Sequence, residues 1–204
     1  MFLFILSARA INIVKMSDLK LIDLKEQHFT ESVVSWHRNH HAQYYSASGR
    51  VFTRQYLIEE YKRGRESKTS FQFLIVHKKD KQEIGIVKIQ SIDAHKKGDI
   101  VYFIGDENYL GRGLGTQAIK LALKIAFQKL DLRKIHGPCF KSNRASIIAA
   151  LKAGYVIEGI LKSHYFLNGV EDDAVLIACF NPRYFSQNDR SFSNYKLEDV
   201  YGNE

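Results

Sequence analysis

The alternation of hydrophobic and polar residues predicts a chain built from strands and helices in turn. Residues 19–24 alternate as a half-buried strand does. Two runs rich in strand-forming residues, 71–76 and 83–92, flank the polar hexad 77–82, a spacing that predicts a hairpin. A third such run covers residues 99–104, after a loop at 93–98. The middle of the chain is therefore expected to form a three-stranded meander.

Helical periodicity dominates the segment that follows. Apolar residues between 114 and 130 recur at helical spacing and leave lysines on the outer face, which predicts an amphipathic helix. We expect further helices near 28–37, 53–63 and 146–153, the last ended by Gly154, and further strands at 134–139, 156–161 and 174–180. With no repeat and no linker, this order predicts one mixed α/β (α+β) domain over residues 16–183.

The two ends of the chain are expected to lie outside that domain. The apolar run at residues 1–6 stops at Ser7, far short of the roughly 20 residues that span a membrane, and no basic residue precedes it. We therefore interpret residues 1–15 as an extension ahead of Met16. Residues 184–204 are polar and are expected to form a loose tail. With no export signal and two cysteines, the predicted location is cytoplasmic, without a membrane partner.

Charge and cysteine content limit the chemistry that is expected. The chain has 30 Lys and Arg against 22 Asp and Glu, a net charge of +8, which favours an anionic partner. Two cysteines supply neither a disulfide scaffold nor a zinc site by themselves. His37, His40 and His41 have no acidic or cysteine partner at metal spacing, so no metal is predicted.

The glycine-rich turn after the third strand is the most informative motif. Gly111, Gly113 and Gly115 allow positive φ and close backbone approach, and the helix that begins there adds a positive dipole end. This combination predicts an anion site, to which Arg112 adds charge. A dinucleotide fingerprint would need glycine at Thr116, and a P-loop would need Gly-Lys-Ser/Thr, so neither common nucleotide motif is present.

The segments 111–116, 141–146 and 153–159, which read GRGLGT, KSNRAS and AGYVIEG, resemble the GNAT superfamily of acetyl-CoA-dependent N-acetyltransferases. They are most similar to the branch that holds ribosomal-protein N-terminal and nucleotide-aminosugar acetyltransferases. The resemblance implies a twisted, mostly antiparallel mixed sheet flanked by helices, with acetyl-CoA as the acetyl donor. Leu110 stands where the family has Gln or Arg. The cofactor-binding residues that the resemblance implies are Phe103, Ile104, Leu110, Gly111, Arg112, Gly113, Leu114, Gly115, Thr116, Asn143 and Ser146.

The same resemblance suggests catalytic groups. Many family members place a tyrosine acid where this chain has Ala150, so Ser146 is its nearest replacement. Asp173 and Glu158 are the carboxylate candidates for the base, although each also fits a structural ion pair. An N–H beside residues 104–105 is expected to bind the developing oxyanion where the strand bulges. A covalent acetyl-cysteine is not expected, because Cys139 and Cys179 lie in strand patterns.

The acceptor is predicted to be a small-molecule or peptide amine. Trp36, Tyr44 and His164 are expected to border it. A nucleotide-linked aminosugar ranks slightly above a protein N-terminus, and a CoA-binding module without catalysis is a further alternative. A nucleic-acid partner is not expected, because the lysines are scattered rather than gathered on one face. Arg112, Lys120, Lys141 and Arg144 instead lie near the segments expected to meet CoA phosphates, and a homodimer is compatible with the chain.

Overall fold

A mixed sheet of seven strands forms the centre of the computed structural model, which describes residues 17–38, 52–167, 169–186 and 195–202. The strands are β1 (Leu19–Asp23), β2 (Phe71–His77), β3 (Gln82–Gln90), β4 (Lys97–Ile104), β5 (Lys134–Phe140), β6 (Val156–Leu167) and β7 (Val170–Phe180). Their order across the sheet is β1-β2-β3-β4-β5-β7-β6. Every neighbouring pair is antiparallel except β4 and β5, which run parallel. The predicted fold class is confirmed.

Helices cover both faces of this sheet. In the described residues they are α1 (Glu31–Arg38), α2 (Arg54–Glu66), α3 (Leu114–Gln128), α4 (Arg144–Ala153) and α5 (Leu197–Tyr201), with single 3₁₀ turns at Glu26–His28 and Glu107–Tyr109. Buried residues of α3 recur every three or four positions, as the sequence pattern predicts. Thr53 caps α2 by accepting from the N–H of Tyr56 at 3.1 Å.

Two hydrophobic clusters hold the helices to the sheet, one on each face. One cluster joins α3 and α4 to the sheet and includes Ile84, Ile119 and Ile147. The other joins α1 and α2 to the opposite face and includes Trp36, Leu57 and Ile86, with Phe103 packed against it. Because β3 contributes to both clusters, it is buried almost along its length, which explains its nearly continuous apolar sequence.

The parallel strands β4 and β5 are paired over only two positions. Lys97 lies opposite Lys134 and Gly98 opposite Ile135, and beyond these residues the ladder ends. Lys141 donates its N–H to β7. Because N–H groups alternate sides along a strand, the backbone nitrogens one and three residues before it, at Phe140 and Pro138, face the β4 side. Proline has no N–H to donate, and here it occupies an edge that has no partner. The two strands therefore diverge and leave a gap in the middle of the sheet.

The last hairpin is longer than the sequence pattern predicts. β6 and β7 extend to Leu167 and begin at Val170, whereas the pattern placed their limits at residues 161 and 174. The pairing register shifts between Leu161 and Tyr165, which interrupts the regular alternation of side chains. The outer hairpin is also exposed, since Phe166 and Val170 are 71% and 57% accessible, so burial does not mark it. Hydrophobic periodicity therefore predicts only the buried part of the β6–β7 hairpin.

The C-terminal segment corrects the expectation of a loose tail, as far as residues 195–202 describe it. Tyr195 forms a β-bridge with Ile157. In α5 the side chain of Val200 is only 4% exposed and joins the cluster beneath α3 and α4. The hydroxyl of Tyr201 donates to the carbonyl of Lys141 at 2.7 Å. The polar composition of the tail hid this docking because one buried valine supplies most of it. None of the helices described is long and apolar enough to span a membrane.

Replacing Val200 with Ala should lower the free energy of unfolding by about 1–2 kcal/mol, because two buried carbon groups are lost and a small void remains. Denaturant titration followed by circular dichroism measures this change. Glu198→Ala is the matched control in α5, because Glu198 is exposed and, among the described residues, its side chain forms an ion pair with Lys196. Equal effects of the two substitutions would show that α5 does not contribute to the core.

Candidate active site

A cleft of about 700 Å³ occupies the gap between β4 and β5 and reaches both faces of the sheet. On one face it is bordered by the N-terminal ends of α3 and α4. On the other face it is bordered by His37 of α1, by Tyr56 and Glu60 of α2, and by Lys88 of β3. A ligand in this cleft can therefore reach through the sheet, and two ligands that enter from opposite faces can meet inside it.

At one end of the cleft, the glycine-rich turn forms an open cradle of backbone N–H groups. Gly111 and Gly113 both have φ of +70°, a conformation that L side chains rarely adopt, and no atom lies within 4 Å of a Cβ added at either position. Within the described residues, the N–H groups of 111–116 have no hydrogen-bond acceptor. They lie at the N-terminus of α3, where the helix dipole is positive. The turn is suited to bind a phosphate-like anion.

Ten of the eleven residues predicted to bind the cofactor line this cleft. They are Phe103, Ile104, Leu110, Gly111, Gly113, Leu114, Gly115, Thr116, Asn143 and Ser146. Arg112 does not line the cleft, and its guanidinium lies 5.2 Å from the ring centre of Tyr109. Leu110 is 55% exposed, so this departure from the family pattern leaves an apolar side chain at the mouth of the cleft.

Asn143 and Ser146 are held by the first turn of α4. The side-chain oxygen of Asn143 accepts the N–H of Ser146 at 3.3 Å, which makes Asn143 the N-cap. The hydroxyl of Ser146 lies 3.4 Å from the hydroxyl of Tyr102, a residue of β4. Burial raises the pKa of Tyr102, against the lowering effect of Ser146, so this phenol keeps its proton at neutral pH. The pair places two hydroxyl donors on the cleft wall.

Asp99 lies where β4 and β5 begin to separate. A Cβ on Gly137 of β5 would lie 2.7 Å from Oδ1 of Asp99, so only glycine admits this carboxyl. Burial raises the pKa of Asp99 to about 6, although the N–H of Ile100 and the side chain of Gln90 oppose the shift. The cleft thus contains a carboxyl that is ionised at neutral pH and that can accept a proton near neutral pH.

Cys139 of β5 and Tyr165 of β6 complete the wall around Asp99. Burial, and then the charge of Asp99, raises the pKa of the Cys139 thiol to about 12. Such a thiol stays protonated and is a poor nucleophile. Tyr165 stacks on Phe140 at 3.7 Å, and burial raises its pKa to about 12. The carboxyl therefore lies among neutral groups, which is the surrounding that favours its elevated pKa.

The backbone of β4 presents N–H donors to the cleft. The N–H of Gly105 donates to the carbonyl of Ile84 at 2.8 Å, so it is already engaged. Because N–H groups alternate sides along a strand, the N–H of Ile104 faces the gap. The pairing of β3 and β4 runs without a shift as far as Ile104, and just beyond it the carbonyl of Ile84 also accepts from the N–H of Asp106 at 3.2 Å, a sharing that is typical of a β-bulge. A second irregularity lies in β3 at Ile84, opposite the step between Ile75 and Val76.

The two carboxylates predicted as bases lie outside the cleft, and this corrects the prediction. Glu158 accepts from Lys134 at 2.7 Å. Asp173 accepts from the N–H of Ser163 at 3.0 Å and from Lys162 at 3.1 Å, and these contacts lower its pKa. Both carboxylates are held by lysines that tie neighbouring segments together. The sequence did not distinguish such pairs from a catalytic carboxylate, because the pairing lysines are distant along the chain.

The two described acceptor-side residues, Trp36 and His164, are not brought together at the cleft. Trp36 is 8% exposed and packs so closely on Gly105 that a Cβ there would lie 2.1 Å from the indole. It borders a separate pocket of about 410 Å³ rather than the main cleft. His164 lies on β6 with its ring against Tyr165, also outside the cleft lining. Tyr44 lies outside the described residues.

Asp99 is the main functional residue that the sequence reasoning missed. Two features of the sequence pointed to it. One is a carboxyl in an otherwise apolar strand, residues 99–104, and the other is a Gly-Pro pair within another predicted strand, which lies opposite that carboxyl in space. The first feature marks a buried acid, and the second marks an unpaired strand edge. Only the parallel alignment of β4 with β5 shows that the two features meet.

The sequence of this chain is similar to those of known proteins. A family model described as "Acetyltransferase (GNAT) domain" matches residues 18–156. "Probable N-acetyltransferase YjcK" of Bacillus subtilis is 32% identical over 127 residues, which is 61% of this chain and 70% of that protein. The Escherichia coli spermidine N(1)-acetyltransferase is 31% identical over 53% of this chain, and the ribosomal-protein-serine acetyltransferase of the same species is 33% identical over 49%. These two matches span 58% and 56% of the relatives, little more than half their length.

Solved structures show the same fold. The spermidine N-acetyltransferase from Vibrio cholerae, determined in complex with CoA and spermine, superposes with a TM-score of 0.74 at 22% identity. The superposition covers 83% of this chain and 99% of that one. At this level of identity the likeness concerns the architecture alone.

Asp99→Asn should change how stability depends on pH. The folded-state pKa of Asp99 is raised to about 6, so the wild-type protein loses stability as pH rises from about 4 to 6. The variant lacks this loss, so its free energy of unfolding should exceed that of the wild-type protein by about 1–2 kcal/mol at pH 7. The difference is smaller than the full pKa shift implies, because solvent in the cleft screens part of the cost of ionising Asp99. Denaturant unfolding at pH 4 to 7 measures the difference. Asp173→Asn should show the opposite slope, because the pKa of Asp173 is lowered.

Proposed function

This chain belongs to the GNAT acetyltransferase family, whose members transfer the acetyl group of acetyl-CoA, and on that premise we propose how its cleft is used. Acetyl-CoA enters the half bordered by α3 and α4, and a primary amine enters the half bordered by α1 and α2. The observation that carries this proposal is the row of N–H groups at residues 111–116, which continues into an unpaired edge of β4. A phosphate group and an extended amide-containing arm need donors of this kind.

The residues around the cradle fit the cofactor. The N–H groups of 111–116 bind the pyrophosphate, and the N–H groups of Tyr102 and Ile104 face the arm that runs along β4. The family resemblance places Asn143 beside that arm, and its capping bond fixes the position of its side chain. When bound, the cofactor supplies an acetyl group activated as a thioester.

Asp99 is proposed as the proton acceptor for the attacking amine. An alkyl ammonium with a pKa near 10 must lose a proton before its nitrogen can attack a carbonyl carbon. Asp99 lines the cleft where both faces of the sheet are accessible, and its pKa of about 6 suits a base that works near neutral pH. The amine attacks directly, because the Cys139 thiol remains protonated.

Ser146 and Tyr102 are proposed as donors to the leaving thiolate. Their hydroxyls lie 3.4 Å apart on the cofactor side of the cleft. Tyr102 stands on β4, whereas the tyrosine acid common in the family occupies the position of Ala150 on α4. Because its pKa is raised, Tyr102 holds a proton that it can share through Ser146. In this proposal, Tyr102 of β4 supplies the tyrosine hydroxyl that α4 lacks at Ala150.

The acceptor is proposed to be a primary amine, with the α-amine of a protein or peptide ranked first. The relative that acetylates a ribosomal-protein serine supports this ranking. The nucleotide-linked aminosugar becomes the weaker proposal, because Asp173, which the resemblance matches to an Asp of the aminosugar branch, lies outside the cleft. A polyamine is the third candidate, in view of the spermidine acetyltransferase relatives.

Gly113→Val should abolish the thermal stabilisation that acetyl-CoA gives the wild-type protein. The isopropyl group would project into the cradle, and the backbone at φ +70° would have to shift. Differential scanning fluorimetry with and without 1 mM acetyl-CoA measures the effect. Gly154→Val is the matched control, since Gly154 has φ +109° at the end of α4, away from the cradle. An undiminished shift in Gly113→Val would contradict the assigned phosphate site.

Asp99→Asn should lower kcat for thiol release by about 10²–10³, because the amide accepts no proton. The rise of wild-type kcat/KM with pH, centred near the Asp99 pKa of about 6, should disappear in the variant. Thiol release with a short peptide as acceptor measures both effects. Asp173→Asn is the matched control and should retain activity, because Asp173 lies outside the cleft. A variant with normal kcat would rule out Asp99 as the base.

A further inference from the structure

His37 contributes an unused hydrogen-bond acceptor to the acceptor half of the cleft. Its side chain is 5% exposed and lines the cleft, and its Nδ1 lies 3.1 Å from the carbonyl oxygen of Val33. Nδ1 therefore carries the proton and donates it, which leaves a lone pair on Nε2. Nε2 is buried and has no partner among the described residues. A buried polar atom without a partner is rare and marks a place where a ligand can supply one.

The ring of His37 is neutral and held in place. Burial, and then the charge of Lys88, lowers the pKa of His37 to about 4. Its ring meets Phe103 of β4 edge to face at 4.9 Å and lies 5.6 Å from Phe52. Phe103 is a neighbour of Ile104, whose N–H faces the gap. His37 thus belongs to the wall of the acceptor half, beside the open edge of β4.

Negative charge on the acceptor half is already neutralised. Among the described residues that line the cleft, Glu60 and Asp99 are the carboxylates. Both oxygens of Glu60 accept from Nζ of Lys88, at 3.2 and 3.1 Å, and Lys88 is only 8% exposed. Asp99 is the base proposed above. No described carboxylate of the cleft is left unpaired for a second ammonium group.

The rings of Phe52, Tyr56 and Phe103 make the rest of the described wall aromatic. The surroundings therefore favour an acceptor with one ammonium group and an otherwise uncharged body.

We propose that Nε2 of His37 is a specificity-determining acceptor that receives a neutral N–H or O–H of the substrate, and that the enzyme selects monoamines bearing such a donor over polyamines. This inference rests on the function proposed above and specifies its substrate class. An amide N–H next to an α-amine has the required chemistry, as does a hydroxyl next to the amine of a sugar. An alkyl monoamine lacks the donor, and a polyamine adds unpaired positive charge.

The test compares three amines in a thiol-release assay: Ala-Ala amide, hexylamine and spermidine. For wild-type protein we expect kcat/KM to be about tenfold higher for Ala-Ala amide than for hexylamine, and lowest for spermidine. His37→Leu should raise KM for Ala-Ala amide about tenfold and leave hexylamine unchanged, because only the amide loses a partner. His37→Gln, whose side-chain oxygen also accepts, should recover part of the loss.

Gln72→Leu is the matched control, because Gln72 is 2% exposed, has an unpartnered Nε2 and does not line the cleft. It should change KM for neither amine. In the wild-type protein, the ¹⁵N resonance of His37 Nε2 should move on addition of Ala-Ala amide and not of hexylamine, a measurement that needs no variant. An unmoved resonance, equal KM changes for both amines in His37→Leu, or a preference for spermidine would each overturn the inference while leaving the acetyltransferase function intact. If acetyl-CoA stabilises the protein and no amine releases thiol, the proposed function fails, and the inference fails with it.

Discussion

The short contact between β4 and β5 is the constraint on which the site depends. Two residue pairs hold the parallel strands together, and beyond them Pro138 has no N–H to extend the ladder. Were the ladder to continue, the N–H groups of Tyr102 and Ile104 would be used within the sheet. Because it stops, one sheet edge is available to a ligand in the middle of the molecule, while β7 and β3 keep both strands in place on their other sides.

The two halves of the cleft differ in what they offer a ligand. The half beside α3 and α4 offers backbone N–H groups and hydroxyls, which suit a phosphate and a thiolate. The half beside α1 and α2 offers a neutral imidazole, a closed Lys88–Glu60 pair and aromatic rings. Asp99 is accessible where the halves meet. One sheet thereby separates a surface of backbone donors and hydroxyls from a surface with little net charge, and we propose that the reaction takes place between them.

Much of the cofactor half was predictable, because its determinants are local. Positive φ at Gly111 and Gly113, the start of α3 and the cap at Asn143 are set within a few residues of chain. The acceptor half was not predictable in the same way. Glu158 and Asp173 looked as suitable for a base as any other carboxylate, and their lysine partners lie 24 and 11 residues away. The sequence also placed Trp36 and His164 at the acceptor, although neither lines the cleft.

The sequence by itself determined the order and type of the elements as far as β7, the mixed α/β class and the glycine-rich turn at residues 111–115, because hydrophobic period, capping and glycine conformation act over a few residues. Only the tertiary structure decided which side chains share the cleft. It brought Asp99 against Gly137, left Nε2 of His37 without a partner, closed Lys88 onto Glu60 and docked Val200 into the core. The pKa of a carboxyl or an imidazole depends on burial and on charges contributed by distant strands. Those neighbours are known only when the sheet is assembled.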